Sequence, residues 1–338
     1  MSNGNPVHFN LIAAAHAVMI ERGFQPEFPK GTDDQLAAIQ AHPETPAAPR
    51  AQDLRSLLWS SIDNDTSKDL DQIEWAEQLP DGGIRVLVGV ADVDARVEKG
   101  SVIDGHARSE TTSVYTGVQV FPMLPTQLSE GITSLNENKD RVAVVIEFTV
   151  DSTGAASDGK AYRALVCNRA QLAYNGVGAW LENRGPAPAK VAASADLAAQ
   201  LKLQDKAAQC MLNSRFQHGA LDLETIETRP IMLKDQAVEI ASLEKNRATS
   251  LIEEFMVAAN GVIARTFEGG GVASIRRIVR TPKRWDRIVE LAFERGVLFL
   301  GCGPSTVRIC PALIVTKDEA DVAVDVLEEC IRIVGKDA

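Results

Sequence analysis

Ser61-Ile62-Asp63-Asn64-Asp65-Thr66-Ser67-Lys68-Asp69-Leu70-Asp71-Gln72 places four carboxylates within nine residues, between two apolar runs. Charges crowded that closely repel one another unless something positive stands among them. The segment therefore points to a hard divalent cation, and its oxygen donors suit Mg²⁺. The competing reading is a solvated turn, since Asn, Asp, Ser and Thr favour loops and charge clusters commonly lie on the surface. Spacing favours the cation: Asp69 and Asp71 leave the same face of an extended segment, and Asp63 can return to them across a short loop. A helix-loop-helix calcium site is disfavoured, because the central Gly and the closing Glu are absent.

The residues that follow set the geometry. Ile73 to Leu79 and Ile84 to Val90 flank Pro80-Asp81-Gly82-Gly83, which reads as a hairpin turn between two strands. A turn centred between Asp81 and Gly82 makes antiparallel partners sum to about 163, pairing Asp71 with Asp92 and Asp69 with Asp94. Asp92 then arrives beside the cluster, unless the register slips by one residue and turns it to the other face.

On these residues the sequence resembles the catalytic domain of the ribonuclease II family, the RNB exoribonucleases. The family's Ile-Asp followed by Asp-hydrophobic-Asp-Asp falls on Asp63, Asp69 and Asp71, with Gln72 at the fourth acidic position. The resemblance continues through Val88-Gly89-Val90-Ala91-Asp92, Ser113-Val114-Tyr115, Val120-Phe121-Pro122-Met123-Leu124-Pro125, Leu128-Ser129 and Ser134-Leu135-Asn136. Further on come Ala173-Tyr174-Asn175, Gly219-Ala220-Leu221-Asp222-Leu223 and Leu251-Ile252-Glu253-Glu254-Phe255-Met256, so that the likeness runs in order from residue 53 to residue 287.

What the resemblance implies is Mg²⁺-dependent hydrolysis of single-stranded RNA from its 3′ end, one nucleotide at a time, releasing 5′-monophosphates; Mn²⁺ is an alternative ion. Asp63, Asp69, Asp71 and Gln72 would hold the metal, and Asp71 would be the catalytic carboxylate. Cations at such a site neutralise the scissile phosphate, activate a water and stabilise the leaving oxygen. Gln72 coordinates without charge, so the metal should be held more weakly than by four carboxylates. Tyr115 would offer a stacking surface near the 3′ end and Tyr174 a second RNA contact, a mode tolerant of base sequence. On the resemblance, the family's aromatic partner of the first tyrosine would fall on Leu223, which leaves that clamp incomplete. Glu254, off the apolar stripe of its helix, would face the RNA; the alternative is a solvated polar edge.

Net charge is −11, the wrong sign for a surface that attracts RNA throughout. Any RNA site must be a local basic channel, and Ile275 to Arg287 offers Arg276, Arg277, Arg280, Lys283, Arg284 and Arg287 around Trp285. A solvated helix face explains that stretch as well. With no run of eighteen apolar residues and no signal peptide, the expectation is a soluble cytoplasmic protein without membrane contact. Five cysteines without a Cys-x-x-Cys pair argue for free thiols, and the scattered histidines give no zinc spacing.

The expected fold is α+β, a mainly antiparallel β core with flanking helices and a small strand-strand-helix tail. Residues 1–50 read as an N-terminal helix and Pro-rich arm, too short for the paired cold-shock-like barrels of many family members. Residues 51–288 read as a truncated RNB-like domain and 289–338 as a separate end piece. Helical spacing covers 9–22, 196–216 and 247–267, with Leu251, Ile252, Phe255, Met256, Ala259 and Ile263 inward on the last. From about 290 to 335 the chain resembles the C-terminal end of class III aminotransferases, with Arg308 at an arginine associated there with a substrate carboxylate, and Thr316 with Glu319 forms a capping box. The cofactor-binding large domain and its lysine have no counterpart, so no pyridoxal phosphate is expected. The RNB family's Ser-Pro-Ile-Arg-Arg-Tyr motif is imitated only in part by Ile275-Arg276-Arg277. Two functions follow from this: an exoribonuclease, or a catalytically impaired RNA-binding remnant lacking that arginine.

Overall fold

The structure is a computed structural model that describes residues 10–42, 51–220, 227–233, 236–243, 245–275, 284–301, 307–312 and 314–336. It divides into two compact units, residues 1–274 and 275–338. That division precedes the one expected at 288, because α8 (Arg284–Glu294) packs on α9 (Lys317–Lys336).

The N-terminal unit opens with α1 (Leu11–Glu21), capped by Asn10, and α2 (Thr32–Ala41). Leu36 of α2 packs with Val97, Ile103 and Leu128, so the arm is part of this unit's packing. Then come β1 (Gln52–Asp53), β2 (Trp59–Asp63), β3 (Gln72–Gln78) and β4 (Ile84–Ala91). After α3 (Val102–Glu110), the two-residue strands β5 (Val114–Tyr115) and β6 (Val120–Phe121) form a small hairpin, and a turn of π-helix spans Gln127–Ile132. β7 (Asp140–Val150) and the long β8 (Ala156–Ala173) lead into α4 (Tyr174–Leu181), the short α5 (Ala189–Ala192) and α6 (Ala195–Gln217). A two-stranded hairpin, β9 (Glu227–Leu233) and β10 (Gln236–Leu243), precedes α7 (Arg247–Gly269). This is the expected α+β architecture.

The main sheet runs β1-β8-β2-β3-β4-β7, and β7 also pairs β8, so the ladder returns to its own long strand. All pairings in it are antiparallel except those of β8 with β1 and β2. Both faces of the sheet are covered. Ile62, Val86, Val88, Ile146 and Phe148 pack beneath α6 and α7 with Leu201, Leu251 and Phe255; Trp59, Leu70, Ile73, Leu87, Val145 and Val166 fill the other side. This explains why β4 reads as an almost continuous apolar run.

The hairpin forms where expected, with Gly82 at φ +91 in the left-handed region its turn needs. Its register, however, pairs Gln72 with Val90 and Gln78 with Ile84, one residue away from the expected pairing. Asp71 therefore meets Ala91, whose N–H donates to the Asp71 carbonyl at 2.9 Å. Asp92 turns instead to Arg163, whose Nε donates to its Oδ2 at 2.6 Å, so it stays buried and outside the acidic cluster. The slip follows from turn chemistry. The Leu79 N–H donates to Gly83 O, and the Asp81 carboxylate accepts from the Gly83 N–H, closing the loop asymmetrically.

In the C-terminal unit, β11 (Leu300–Gly301) pairs β12 (Val307–Arg308) ahead of α9, giving the expected strand-strand-helix order, and Leu291, Ala292, Phe299, Cys330 and Val334 form its core. The Thr316–Glu319 capping box is present: Glu319 Oε2 accepts from the Thr316 N–H at 2.8 Å, and Thr316 Oγ1 accepts from the Glu319 N–H at 3.3 Å. Cys167, Cys210, Cys310 and Cys330 are free thiols. Among the described residues, no helix is long and apolar enough to cross a membrane.

Candidate active site

β2 and β8 run parallel, with Asp63 opposite Ala173, so both strands end at one edge of the sheet. β3 runs against β2 and therefore begins at that same edge. Asp63 closes β2, Gln72 opens β3, Tyr174 starts α4 directly after β8, and Asp69 and Asp71 ride on the loop between β2 and β3. Sheet topology thus brings together at one edge the five polar residues that the sequence singled out there.

The loop is held by its own side chains. Asp63 Oδ1 accepts from the Asn64 N–H at 2.6 Å and the Ser67 hydroxyl at 2.9 Å, which ties the strand exit to the loop. Leu70 is buried; its N–H donates to Ser134 Oγ at 3.0 Å, and its carbonyl accepts from the Leu135 N–H at 2.9 Å. The Ser134 hydroxyl donates in turn to Lys68 O at 2.8 Å. With Leu70 sunk into the core, Asp69 and Asp71 on either side of it point outward, and the Ser134-Leu135-Asn136 motif acts as the anchor.

Asp71 remains open to solvent, yet its carboxyl is pushed up to about 6 by the surrounding protein first, then by Asp69 and Asp63. No positively charged side chain among the described residues counters them at Asp71. The Tyr115 hydroxyl donates to Asp69 Oδ2 at 3.0 Å while 67% of the residue stays exposed, so its ring face is free although its tip is tethered. Burial and then Asp69 push this phenol up to about 12, keeping it a donor at neutral pH. Tyr174 is half-buried, and its phenol is raised by burial, then by Asp63 and Glu74.

The donor set suits a hard cation in its chemistry: three carboxylates and the amide oxygen of Gln72, all at one edge. The side chains share a field but are not gathered into a cage; among the described residues, no three His, Cys, Asp or Glu groups stand close enough to hold a metal ion.

Glu254 does not face a channel. It is 1% exposed on α7, where the Arg215 Nη1 of α6 donates to its Oε1 at 2.5 Å. Both the channel role and the solvated edge expected for it give way to an interhelical ion pair, because α6 covers the flank of α7 that periodicity left to solvent. Leu223 and Arg276 to Lys283 lie outside the described residues, as do the side chains of Arg284 and Trp285. Arg287 lies within 3.8 Å of Glu290 on α8.

One residue at this edge was missed in the sequence. Glu74, two positions beyond Gln72, is fully buried, and neither of its carboxylate oxygens has a hydrogen-bond partner among the described residues. Its carboxyl is held well above the usual range by burial, then by Asp63. An acidic residue between Ile73 and Trp75 resembles the outward position of an alternating strand. Only the packing of α6 onto that face makes it interior.

Residues 51–298 match the RNB domain. Ribonuclease R of Vibrio cholerae is 34% identical over 257 residues, covering 76% of this chain and 31% of that protein. Ribonuclease R of Escherichia coli is 33% identical, covering 75% of this chain and 31% of the relative. Among solved structures, Mycoplasma genitalium RNase R in complex with ribose methylated single-stranded RNA superposes with a TM-score of 0.75 at 25% identity, over 94% of this chain and 48% of that one. The chain spans about a third of the length of the curated relatives it matches. A match that runs through most of the N-terminal unit and takes in the whole acidic edge places this chain in the RNB domain family.

Proposed function

We propose that the chain is a Mg²⁺-dependent exoribonuclease that shortens single-stranded RNA from its 3′ end and releases 5′-nucleoside monophosphates in the cytoplasm. The observation that carries this is the anionic edge itself: Asp71 is accessible, pushed up to about 6 by the surrounding protein and by Asp69 and Asp63, and flanked by an exposed tyrosine ring tethered to Asp69. A polyanion cannot approach three uncompensated carboxylates on a chain of net charge −11 without a cation between them. The ion would be held by Asp63, Asp69, Asp71 and Gln72, and when bound it supplies charge neutralisation at the scissile phosphate. Mn²⁺ meets the same oxygen chemistry.

The side chains account for the remaining steps. As the catalytic carboxylate, Asp71 is open to solvent at this edge and would hold the ion, whose charge keeps it ionised. Tyr115 presents a flat face for the terminal base, fixed in place by its bond to Asp69, and Tyr174 lines the same edge. Stacking reads no sequence, which suits a nonspecific nuclease. RNA as the ligand is supported by the likeness to RNase R solved with single-stranded and with double-stranded RNA.

A labelled RNA with a single-stranded 3′ tail, incubated with Mg²⁺ and separately with chelator, tests the reading. The expected result is stepwise shortening that chelator stops and that Asp71→Asn abolishes while circular dichroism is unchanged. Shortening by Asp71→Asn at the parent rate would remove Asp71 from the chemistry. RNA binding without any shortening would favour the noncatalytic remnant.

A further inference from the structure

Asn168 stands where β8 changes face. Ala164 and Val166 pack on one side of the sheet and Ala170 and Leu172 on the other, although an unbroken strand would keep all four on the same side. The cause is an extra residue in β8: Trp59 pairs with Asn168 but Ser60 with Ala170, which leaves Arg169 as a bulge in the parallel ladder with β2. Bulges re-aim side chains, and this one leaves the Asn168 amide buried in the sheet. Its neighbours fix which way it points. Oδ1 accepts from the Ala170 N–H at 3.2 Å, so Nδ2 is the atom that faces the Leu135 carbonyl.

That Nδ2 donates twice, once to each half of the acidic edge. One bond goes to Ser61 Oγ at 2.9 Å, on β2 just before Asp63, and the other to Leu135 O at 2.9 Å. Leu135 in turn donates its N–H to Leu70 O, between Asp69 and Asp71, while the Ser134 hydroxyl bonds both the Leu70 N–H and Lys68 O. Arg141 of β7 steadies the same segment, its Nε donating to Ser134 O at 2.9 Å and its Nη2 to Gly131 O at 2.9 Å. Arg141 grips only the segment, whereas the Asn168 amide grips both the segment and β2. We infer that Asn168 is a positioning residue for this edge: its amide sets where Asp69 and Asp71 stand relative to Asp63. The inference rests on the exoribonuclease reading and goes beyond it by assigning a role to a buried group that never touches RNA. A catalytic constellation loses rate when its parts shift by about 1 Å, and removing one buried donor leaves both of its partners unpaired at once.

Asn168→Ala tests this against Gln200→Ala. Gln200 also makes two bonds, accepting from the Ala76 N–H at 3.0 Å and donating to Ala76 O at 2.7 Å, but it joins α6 to β3 away from the acidic loop. In shortening of labelled RNA, Asn168→Ala is expected to lower kcat about tenfold or more and to keep KM within about threefold of the parent, because Tyr115 stands on its own hairpin. Hydrogen exchange, read by mass spectrometry without RNA, is expected to quicken about tenfold in the peptides that contain Leu70 and Leu135. Gln200→Ala is expected to lower the melting temperature while leaving kcat and both peptides at parent values. If Asn168→Ala fails to fold, Asn168→Ser, which keeps one donor, is measured in its place with changes of the same sign expected. A kcat within about twofold of the parent, unchanged exchange at Leu70 and Leu135, or an equal loss in Gln200→Ala would overturn this inference alone. A parent chain that leaves RNA intact would overturn the exoribonuclease reading and the positioning role with it.

Discussion

Replacing Asp71 with Asn should make the metal-free protein more stable while removing its activity. In the fold the Asp71 carboxyl is pushed from 3.8 up to about 6, by burial first and then by Asp69 and Asp63. Each tenfold change in proton affinity corresponds to about 1.4 kcal/mol, so a fully shielded group would cost roughly 3 kcal/mol when charged. Asp71 is open to solvent, and screening reduces this to about 1 kcal/mol. The sign follows from a folded value above the unfolded one. Below pH 3.8 the group is protonated in both states and contributes nothing. Between 3.8 and about 6 the folded state resists ionisation, so the destabilisation builds, and above about 6 it is complete. In chelator at pH 7.5, Asp71→Asn should therefore melt about 3 °C above the parent, and at pH 3.5 the two should coincide. Saturating Mg²⁺ should reverse the order, because the parent gains the binding energy of an ion that the variant holds poorly. A variant less stable than the parent in chelator at pH 7.5, or equally stabilised at both pH values, would refute an edge of mutually repelling carboxylates.

Two further substitutions test the parts that position this edge. Gly154 turns the chain from β7 into β8 at φ +84, and a Cβ there would lie 2.0 Å from the Cys210 carbonyl oxygen, so Gly154→Ala should cost about 3 kcal/mol or more in urea unfolding; a loss below about 0.5 kcal/mol would contradict the docking of α6 at that turn. Tyr115→Ala should raise the KM for RNA about tenfold, since stacking is worth about 1–3 kcal/mol per base, while Tyr115→Phe keeps the ring and most of the affinity. An unchanged KM in the alanine variant would mean that the exposed ring does not meet the substrate.

Local chemistry was legible residue by residue. Pro80-Asp81-Gly82-Gly83 announced its hairpin, and Thr316 with Glu319 its helix cap. The spacing of Leu251, Ile252, Phe255 and Ala259 gave the buried stripe of α7, all four of which are core residues. These features depend on interactions within a few residues, where side-chain preference and backbone geometry act together. Register was less accessible, because the offset that sends Asp92 to Arg163 comes from how the turn closes and from a partner on β8, 71 residues away.

The acidic run by itself determined that charge would be concentrated between Asp63 and Asp71, and the matched motifs determined which aromatic residues would stand near it. Tertiary structure decided which carboxylates take part. β8 runs parallel to β2 and thereby brings Tyr174 to the edge; α6 covers β3 and turns Glu74 from an apparent surface residue into a buried one; Arg215 draws Glu254 into the core. A side chain's charge is written in its own residue, but its desolvation and its partner are supplied by segments distant in the chain, so a carboxylate's role is fixed only once those segments have packed.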